Sequence, residues 1–559
     1  MKATRTAIAA AGCLLTVAAA APAQMKTGEQ MRGYAETLGV ALNLRSYPYR
    51  VVMVNSSVPG NVLWPGEQPT FTFQIINNED RPIGTAGKVD VIAYGTKGIP
   101  GDIWQPDMYK IADVQSVPIR ADVKARGFAN VTVSARIPER KGAYAFVMDL
   151  GKLGRRFATS CVRTFKAEPD RIQYPKMSLD HLPHDVLRRL GIQAIRMGWS
   201  YVPTDEKDYD RRTVELNEQL KDLQANKITV LFMIGTGHRA QPLGRGRPHL
   251  DDKAMFLGGK EDLAWLPEKD DDFENWVAAV AGRYGWPKGP ITAFSLWNEP
   301  WEGLSISGWG ADMVRYRTLY TRMARGVERA RKDASVEVLI GGCDSSTNTW
   351  DKLFADGGTD FLKWLDVCTI HYQGMNAPST HGEWVNRKHK YGRVKIWDTE
   401  SWTANTDDRL AAVVATNRAC GYDRSMGVFG GNIAPRTRER EECFDENGAR
   451  QRKHVTHAWS VAASVGAVQH FIGEREFREV LFKKGLPWVY LFDGLGGDAD
   501  DGTVVVVGDI GEAFGGTNVL FRTVRGLKEA VAEAELRAKL AAMSAAAEQR
   551  AAIAAELAT

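Results

Sequence analysis

From Tyr49 to Lys166 apolar and polar positions alternate with a period of two, as in Thr70-Phe71-Thr72-Phe73-Gln74-Ile75-Ile76, Val89-Asp90-Val91-Ile92-Ala93-Tyr94 and Ala129-Asn130-Val131-Thr132-Val133-Ser134. Pro59-Gly60 and Pro100-Gly101 stand among the turns between such runs. Short strands at this spacing predict a β-sandwich domain over residues 46–167. Such a domain either binds carbohydrate or packs against its neighbour.

After about residue 170 the period changes. Strands alternate with amphipathic helices, a rhythm that implies parallel strands joined by helical crossovers. Strands are expected at 194–198, 228–234, 291–296, 336–340, 366–370, 394–397 and 424–429, with helices at 213–226, 273–284, 408–419 and 454–465. Met313, Tyr316, Leu319, Met323 and Val327 form a further helical stripe. With a first strand near residues 172–177, where Pro175 interrupts the pattern, the units predict an α/β fold, a (β/α)8 TIM barrel over 170–466. No G-x-G-x-x-G turn opens the first unit, which sets it apart from a dinucleotide-binding sheet. Strand signals at 488–492, 503–507 and 518–522 predict a small C-terminal β-element over 467–526. Residues 527–559 are rich in Ala, Glu, Arg and Leu and should form a helical tail, either solvated or partner-binding.

The first residues carry Lys2 and Arg5, an apolar run from Ala7 to Ala21, and then Ala21-Pro22-Ala23. Basic, apolar and small-residue segments in that order predict a cleavable signal peptide over 1–23, hence a secreted or periplasmic protein. No later stretch is long and uncharged enough to span a bilayer. The chain has 72 basic and 68 acidic residues, a net charge of +4, which gives nucleic-acid binding no electrostatic support. Of six cysteines, Cys161, Cys343, Cys368, Cys420 and Cys443 follow the leader. No C-x-x-C pair exists, so zinc has no case. Cys420 and Cys443 form either a disulfide or two buried thiols.

Active sites of such barrels lie where the strands end. The strand at 291–296 runs into Trp297-Asn298-Glu299-Pro300-Trp301, that at 366–370 into His371-Tyr372, and that at 394–397 into Asp398-Thr399-Glu400-Ser401-Trp402. Three strand ends deliver two glutamates, an amide, an imidazole, a phenol and several indoles to one face. Glycoside hydrolysis needs such a set: one carboxyl protonates the leaving oxygen and another meets the developing oxocarbenium ion. Aromatic faces suit the apolar surfaces of sugar rings. Asp398 and Glu383 rival Glu400. In a regular strand Asp398 faces the same side as Glu400, one layer deeper, whereas Glu383 lies at no strand end.

Trp-Asn-Glu-Pro after a fourth strand, followed by a Glu after a seventh, resembles clan A of the glycoside hydrolases. The intervening His-Tyr and the flanking β-domains make the order of parts most similar to glycoside hydrolase family 39 and its neighbours. The resemblance covers about residues 170–475 in topology, and its sharp motifs occupy a few short windows. It implies a retaining double displacement, with Glu299 as acid/base and Glu400 as nucleophile. It further implies that Asn298 binds the sugar 2-hydroxyl, that His371 or Tyr372 holds Glu400 oriented, and that Arg196 lies near the nucleophile.

The remaining candidate substrate contacts are Trp199, Trp301, Trp402, His238 and Arg239. Trp297 and Trp309 serve either as core or as platform. Arginines cluster after the third strand, in Arg239, Arg245 and Arg247, and after the last, in Arg436, Arg438 and Arg440. They either select an acidic glycan or pair with Glu439, Glu441 and Glu442. The expected protein is a retaining β-glycosidase acting on a poly- or oligosaccharide without cofactor or metal. The alternatives are a non-catalytic carbohydrate-binding barrel and a transglycosylase. Sequence leaves sugar identity, linkage and oligomeric state open.

Overall fold

The computed structural model describes residues 47–99, 102–167, 183–200, 206–235, 246–248, 265–267, 269–300, 312–345, 356–371, 394–400, 407–425, 441–453, 455–482, 488–509 and 518–529, together with Leu353, Ile433, Ala532 and Glu535. The expected leader, the first barrel strand at 172–177 and most of the tail lie outside these residues.

The N-terminal alternation becomes two sheets, antiparallel throughout except that the short strand Val62–Leu63 pairs in parallel with Arg155–Arg163. One has three strands, Tyr49–Ser56, Thr70–Asn77 and Phe128–Ser134. The other has five, in the order Val62–Leu63, Arg155–Arg163, Gly142–Asp149, Ile83–Ile99 and Asp102–Val123. Phe71, Phe73 and Ile75 of the first sheet share one apolar cluster with Val89, Val91, Phe146 and Met148 of the second. Phe71 meets Phe146 edge-on with ring centroids 4.8 Å apart. On the other face of the five-stranded sheet, Ile92, Tyr94, Ala145 and Val147 join a second cluster with Leu187, Val461 and Val465 from barrel helices.

The barrel region forms a seven-stranded parallel sheet whose strands follow sequence order: Ala194–Ser200, Thr229–Gly235, Ile291–Leu296, Leu339–Ser345, Val367–His371, Lys395–Glu400 and Arg424–Ser425. The sheet is rolled. Arg196 on the first of these strands lies 3.2 Å from Glu400 on the sixth, although five strand spacings in a flat sheet would hold them about 24 Å apart. Ala194, Leu231, Ala293, Val367 and Trp397 fill the inside of the roll, and Ile195, Phe232, Phe294, Ile370 and Ile396 face the helices outside. The long helix Met313–Ala334 shows why that layer holds. Tyr316, Leu319, Tyr320, Met323 and Val327 are fully buried along one stripe, each burial contributing about 1.5–3 kcal/mol. Asp312 caps the helix by accepting from the Arg315 N–H.

Three elements have an end that lies five residues or more from the position expected from sequence. The strand expected at 336–340 is Leu339–Ser345. Val336 and Val338 are buried by packing, and the Glu337 N–H bonds the Trp286 carbonyl instead of a ladder partner. The helix expected at 454–465 is Ser460–Val468. Its expected first turn is tied down in extended form, the Ala458 N–H to Ser160 O and the Trp459 N–H to Ile433 O. The helix expected at 213–226 already begins at Glu206, since a charged first turn carries no apolar period. The C-terminal element is a four-stranded antiparallel sheet, Phe477–Phe482, Trp488–Phe492, Thr503–Asp509 and Asn518–Thr523, one strand more than expected. Cys420 and Cys443 are free thiols, and Cys443 is packed with Val52, Ile76 and Val455.

Candidate active site

The strand Ile291–Leu296 is buried along its whole length because helices cover its outer side and the barrel interior its inner side. Where it ends, the chain turns sharply. Trp297 and Glu299 both take left-handed backbone, φ 61° and 50°, which costs a non-glycine residue about 1–3 kcal/mol and recurs at functional sites. The Trp297 N–H still bonds Ile234 O at 2.8 Å, so the turn is anchored to the neighbouring strand.

The turn sets Glu299, 5% exposed, against His371, which is fully buried at the end of its strand. His371 Nδ1 and Glu299 Oε1 share a hydrogen bond of 2.8 Å, while Glu400 Oε2 lies 3.6 Å from the same nitrogen. His371 or Tyr372 was expected to hold Glu400, and of the two only His371 is among the described residues. Its shorter contact is to Glu299, because it is the Glu299 turn that folds back onto the ring. Arg196 takes the place beside Glu400. Its Nη1 donates to Glu400 Oε2 at 3.2 Å and its Nη2 to Asn298 Oδ1 at 2.7 Å, with Met233 Sδ at 3.0 Å. One guanidinium thus orients both the carboxylate and the amide, and its charge opposes that of Glu400.

Asp398 is not one layer below Glu400. The ladder pairs Ile370 with Asp398 and His371 with Glu400, so Thr399 is an extra residue in the strand. Such a bulge reverses the alternation beyond it. Trp397 points into the roll, Ile396 and Asp398 point to the helices, and Glu400 points inward again. Asn417 on the helix Asp407–Ala419 donates from Nδ2 to Asp398 Oδ2 at 2.7 Å. A period-two reading has no means of detecting that insertion.

Trp199 continues the row of Ile195 and Met197 and packs against the apolar layer. Tyr372, Trp301, Trp309, Trp402, His238, Arg239 and the side chains of the two arginine-rich loops lie outside the described residues. Met233 was not foreseen, since a thioether under a guanidinium leaves no motif.

Glu299, His371 and Glu400 each offer one ligand atom, all within 4.8 Å of one another. A divalent cation could be held by that set, but the Arg196 guanidinium beside Glu400 works against one electrostatically. Two carboxyl groups this close, in different surroundings, can act as a proton donor and a nucleophile.

A rolled parallel β/α sheet with paired carboxyls at its strand ends defines a TIM-like fold. No protein-family model matches this chain, and no curated protein sequence matches it. Among solved structures it is similar to a conserved exported protein from Bacteroides fragilis at 10% identity and TM-score 0.39, over 62% of this chain and 80% of that one. It is similar to a glycoside hydrolase family 30 subfamily 8 xylanase from Clostridium acetobutylicum at 12% identity and TM-score 0.40, over 61% and 82%. A β-glucuronidase from Bacteroides uniformis follows at 11% identity and TM-score 0.29, over 85% of this chain and 62% of that one. The functional reading therefore rests on the site itself. Among the described residues no helix is long and apolar enough to cross a membrane.

Proposed function

We propose that this chain is a retaining β-glycosidase, exported by its first 23 residues, in which Glu299 is the acid/base and Glu400 the nucleophile of a double displacement. The observation that supports the reading is a pair of carboxyl groups that both approach His371 Nδ1, Glu299 Oε1 at 2.8 Å and Glu400 Oε2 at 3.6 Å, close enough for a carboxyl to act on each side of one glycosidic bond. Retaining enzymes hold such groups about 5–5.5 Å apart, and inverting ones about 6.5–9.5 Å to admit a water. Arg196 beside Glu400 favours the ionised form a nucleophile needs. Asn298, fixed by that same arginine, would meet a sugar hydroxyl. The two N-terminal sheets sharing one core support a sandwich domain over 46–167.

In the first step Glu299 gives its proton to the leaving oxygen as a Glu400 oxygen bonds the anomeric carbon. In the second, Glu299 takes a proton from water, which displaces Glu400. The test is hydrolysis of a panel of neutral and acidic β-glycosides by wild type, Glu299→Ala and Glu400→Ala, each with azide. The expected products are a β-azide from Glu299→Ala and an α-azide from Glu400→Ala, with unassisted rates down about a thousandfold or more. Alanine variants as fast as wild type on a cleaved substrate would refute the roles. Products longer than the substrate would identify a transglycosylase. Binding without turnover across the panel would favour the carbohydrate-binding alternative.

A further inference from the structure

Asp398 is a buried carboxylate, 1% exposed, that the chemistry above does not use. It is the last residue of its strand before the bulge at Thr399, and it faces away from the cavity. Asn417, itself fully buried, donates to it at 2.7 Å and reaches Ser425 Oγ at 3.0 Å. Asp398 and Ser425 are register partners on adjacent strands. One helix side chain therefore clips two strands together immediately below the inserted residue. On the cavity side of the bulge Thr399 Oγ1 lies 3.4 Å from Ile370 O, and Glu400 meets Arg196 and His371.

We infer that Asp398, clipped by Asn417 to Ser425, is a positioning residue that holds the bulge in the form that turns Glu400 into the cavity. The inference rests on Glu400 being the nucleophile. Without the inserted residue, alternation would send Glu400 to the helix side with Asp398. The bulge is thus a condition of the site, and Asp398 is the side chain that fixes the residue on which it begins. The Asp398→Asn change keeps the size and removes the charge that draws the Asn417 amide. A nucleophile released by even a fraction of a bond length attacks poorly, and a misplacement of about 1 Å costs about a hundredfold.

The test compares wild type, Asp398→Asn and Asn417→Ser in steady-state kinetics, thermal melting and labelling by a 2-deoxy-2-fluoro glycosyl fluoride of the sugar that wild type cleaves. In labelling, a Glu400 oxygen bonds the anomeric carbon and fluoride departs, so the rate reports the nucleophile alone. The expected result is a kcat and labelling rate lower by about ten- to a hundredfold in both variants, with KM within about twofold of wild type. Folded variants that label as fast as wild type would overturn the inference, whatever their melting temperatures, because a purely structural contact lowers stability and leaves the rate per folded molecule intact. Failure of wild type to label on Glu400 would instead overturn the retaining reading itself. If Asp398→Asn does not fold, the labelling rate of Asn417→Ser decides.

Discussion

Two histidines in this protein are buried almost equally, His371 fully and His457 to 2% exposure, and they sit in opposite company. His371 lies between two carboxyl groups at the strand ends of the rolled sheet. His457 lies in the seam between the N-terminal sheets and the barrel, with Nδ1 3.0 Å from Thr159 Oγ1 and its ring edge-on to Phe157 at 5.5 Å. Burial without a counter-charge pushes the His457 pKa down to about 4, so it is a neutral wedge at neutral pH. Burial alone therefore makes a histidine a packing residue, and the neighbouring carboxyls are what turn one into part of a site.

Exchanging each imidazole for an amide should separate the two roles. If Glu299 is the acid proposed above, His371→Asn is expected to lower kcat by about a hundredfold, the lower end of what general acid–base catalysis contributes, with little change in urea unfolding. His457→Asn is expected to leave kcat within about twofold and to cost about 1–3 kcal/mol of stability, by loosening a packed seam. Kinetics on the substrate found by the panel, paired with urea titrations, checks both. Matching losses of activity per folded molecule in the two variants would break the contrast.

The same contrast explains what could be read in advance. The strand Ile291–Leu296 and its Trp-Asn-Glu ending were legible because an apolar run closed by polar residues is a local signal. The strand Leu339–Ser345 was not, because Gly341 and Gly342 carry no apolar period. An added Cβ on Gly341 would meet Phe294 O at 2.9 Å, so the glycine is there for the close approach of neighbouring backbone. The partners of His371 and the bulge at Thr399 depend on register between strands distant in sequence. The residue types of the carboxylate cluster could be named from sequence, whereas the facing direction of Asp398 could not.

The seam histidine also gives the comparison a pH axis. The folded pKa of His457 lies below its ordinary value of 6.5, so folding disfavours its charged form. Its contribution is complete above about pH 6.5 and is lost progressively as pH falls toward about 4, where the folded protein too must accept the proton. The full loss is on the order of 3 kcal/mol. Unfolding free energies measured across that window should fall for wild type more steeply than for His457→Leu. Parallel curves would mean that His457 is already solvated in the native state, and the wedge would lose its rationale.

The smallest effect is expected at Asn61, whose amide crosses the seam. Its Nδ2 donates to Thr456 O at 3.0 Å and lies 3.3 Å from Thr159 Oγ1 and 3.4 Å from Ser160 O, on a residue only 2% exposed. Its backbone is left-handed, φ 58°, a conformation that asparagine tolerates better than most residues. Asn61→Gly keeps the backbone and loses the donor, while Asn61→Ala loses both. The alanine variant should therefore be less stable than glycine by about 1 kcal/mol, and glycine less stable than wild type by about 1 kcal/mol, with kcat unchanged in either. Equal stability of the two variants would show that the amide, and not the turn, is what asparagine supplies here. A change in kcat would mean that the seam communicates with the carboxylates, and the separation between the two histidines would no longer hold.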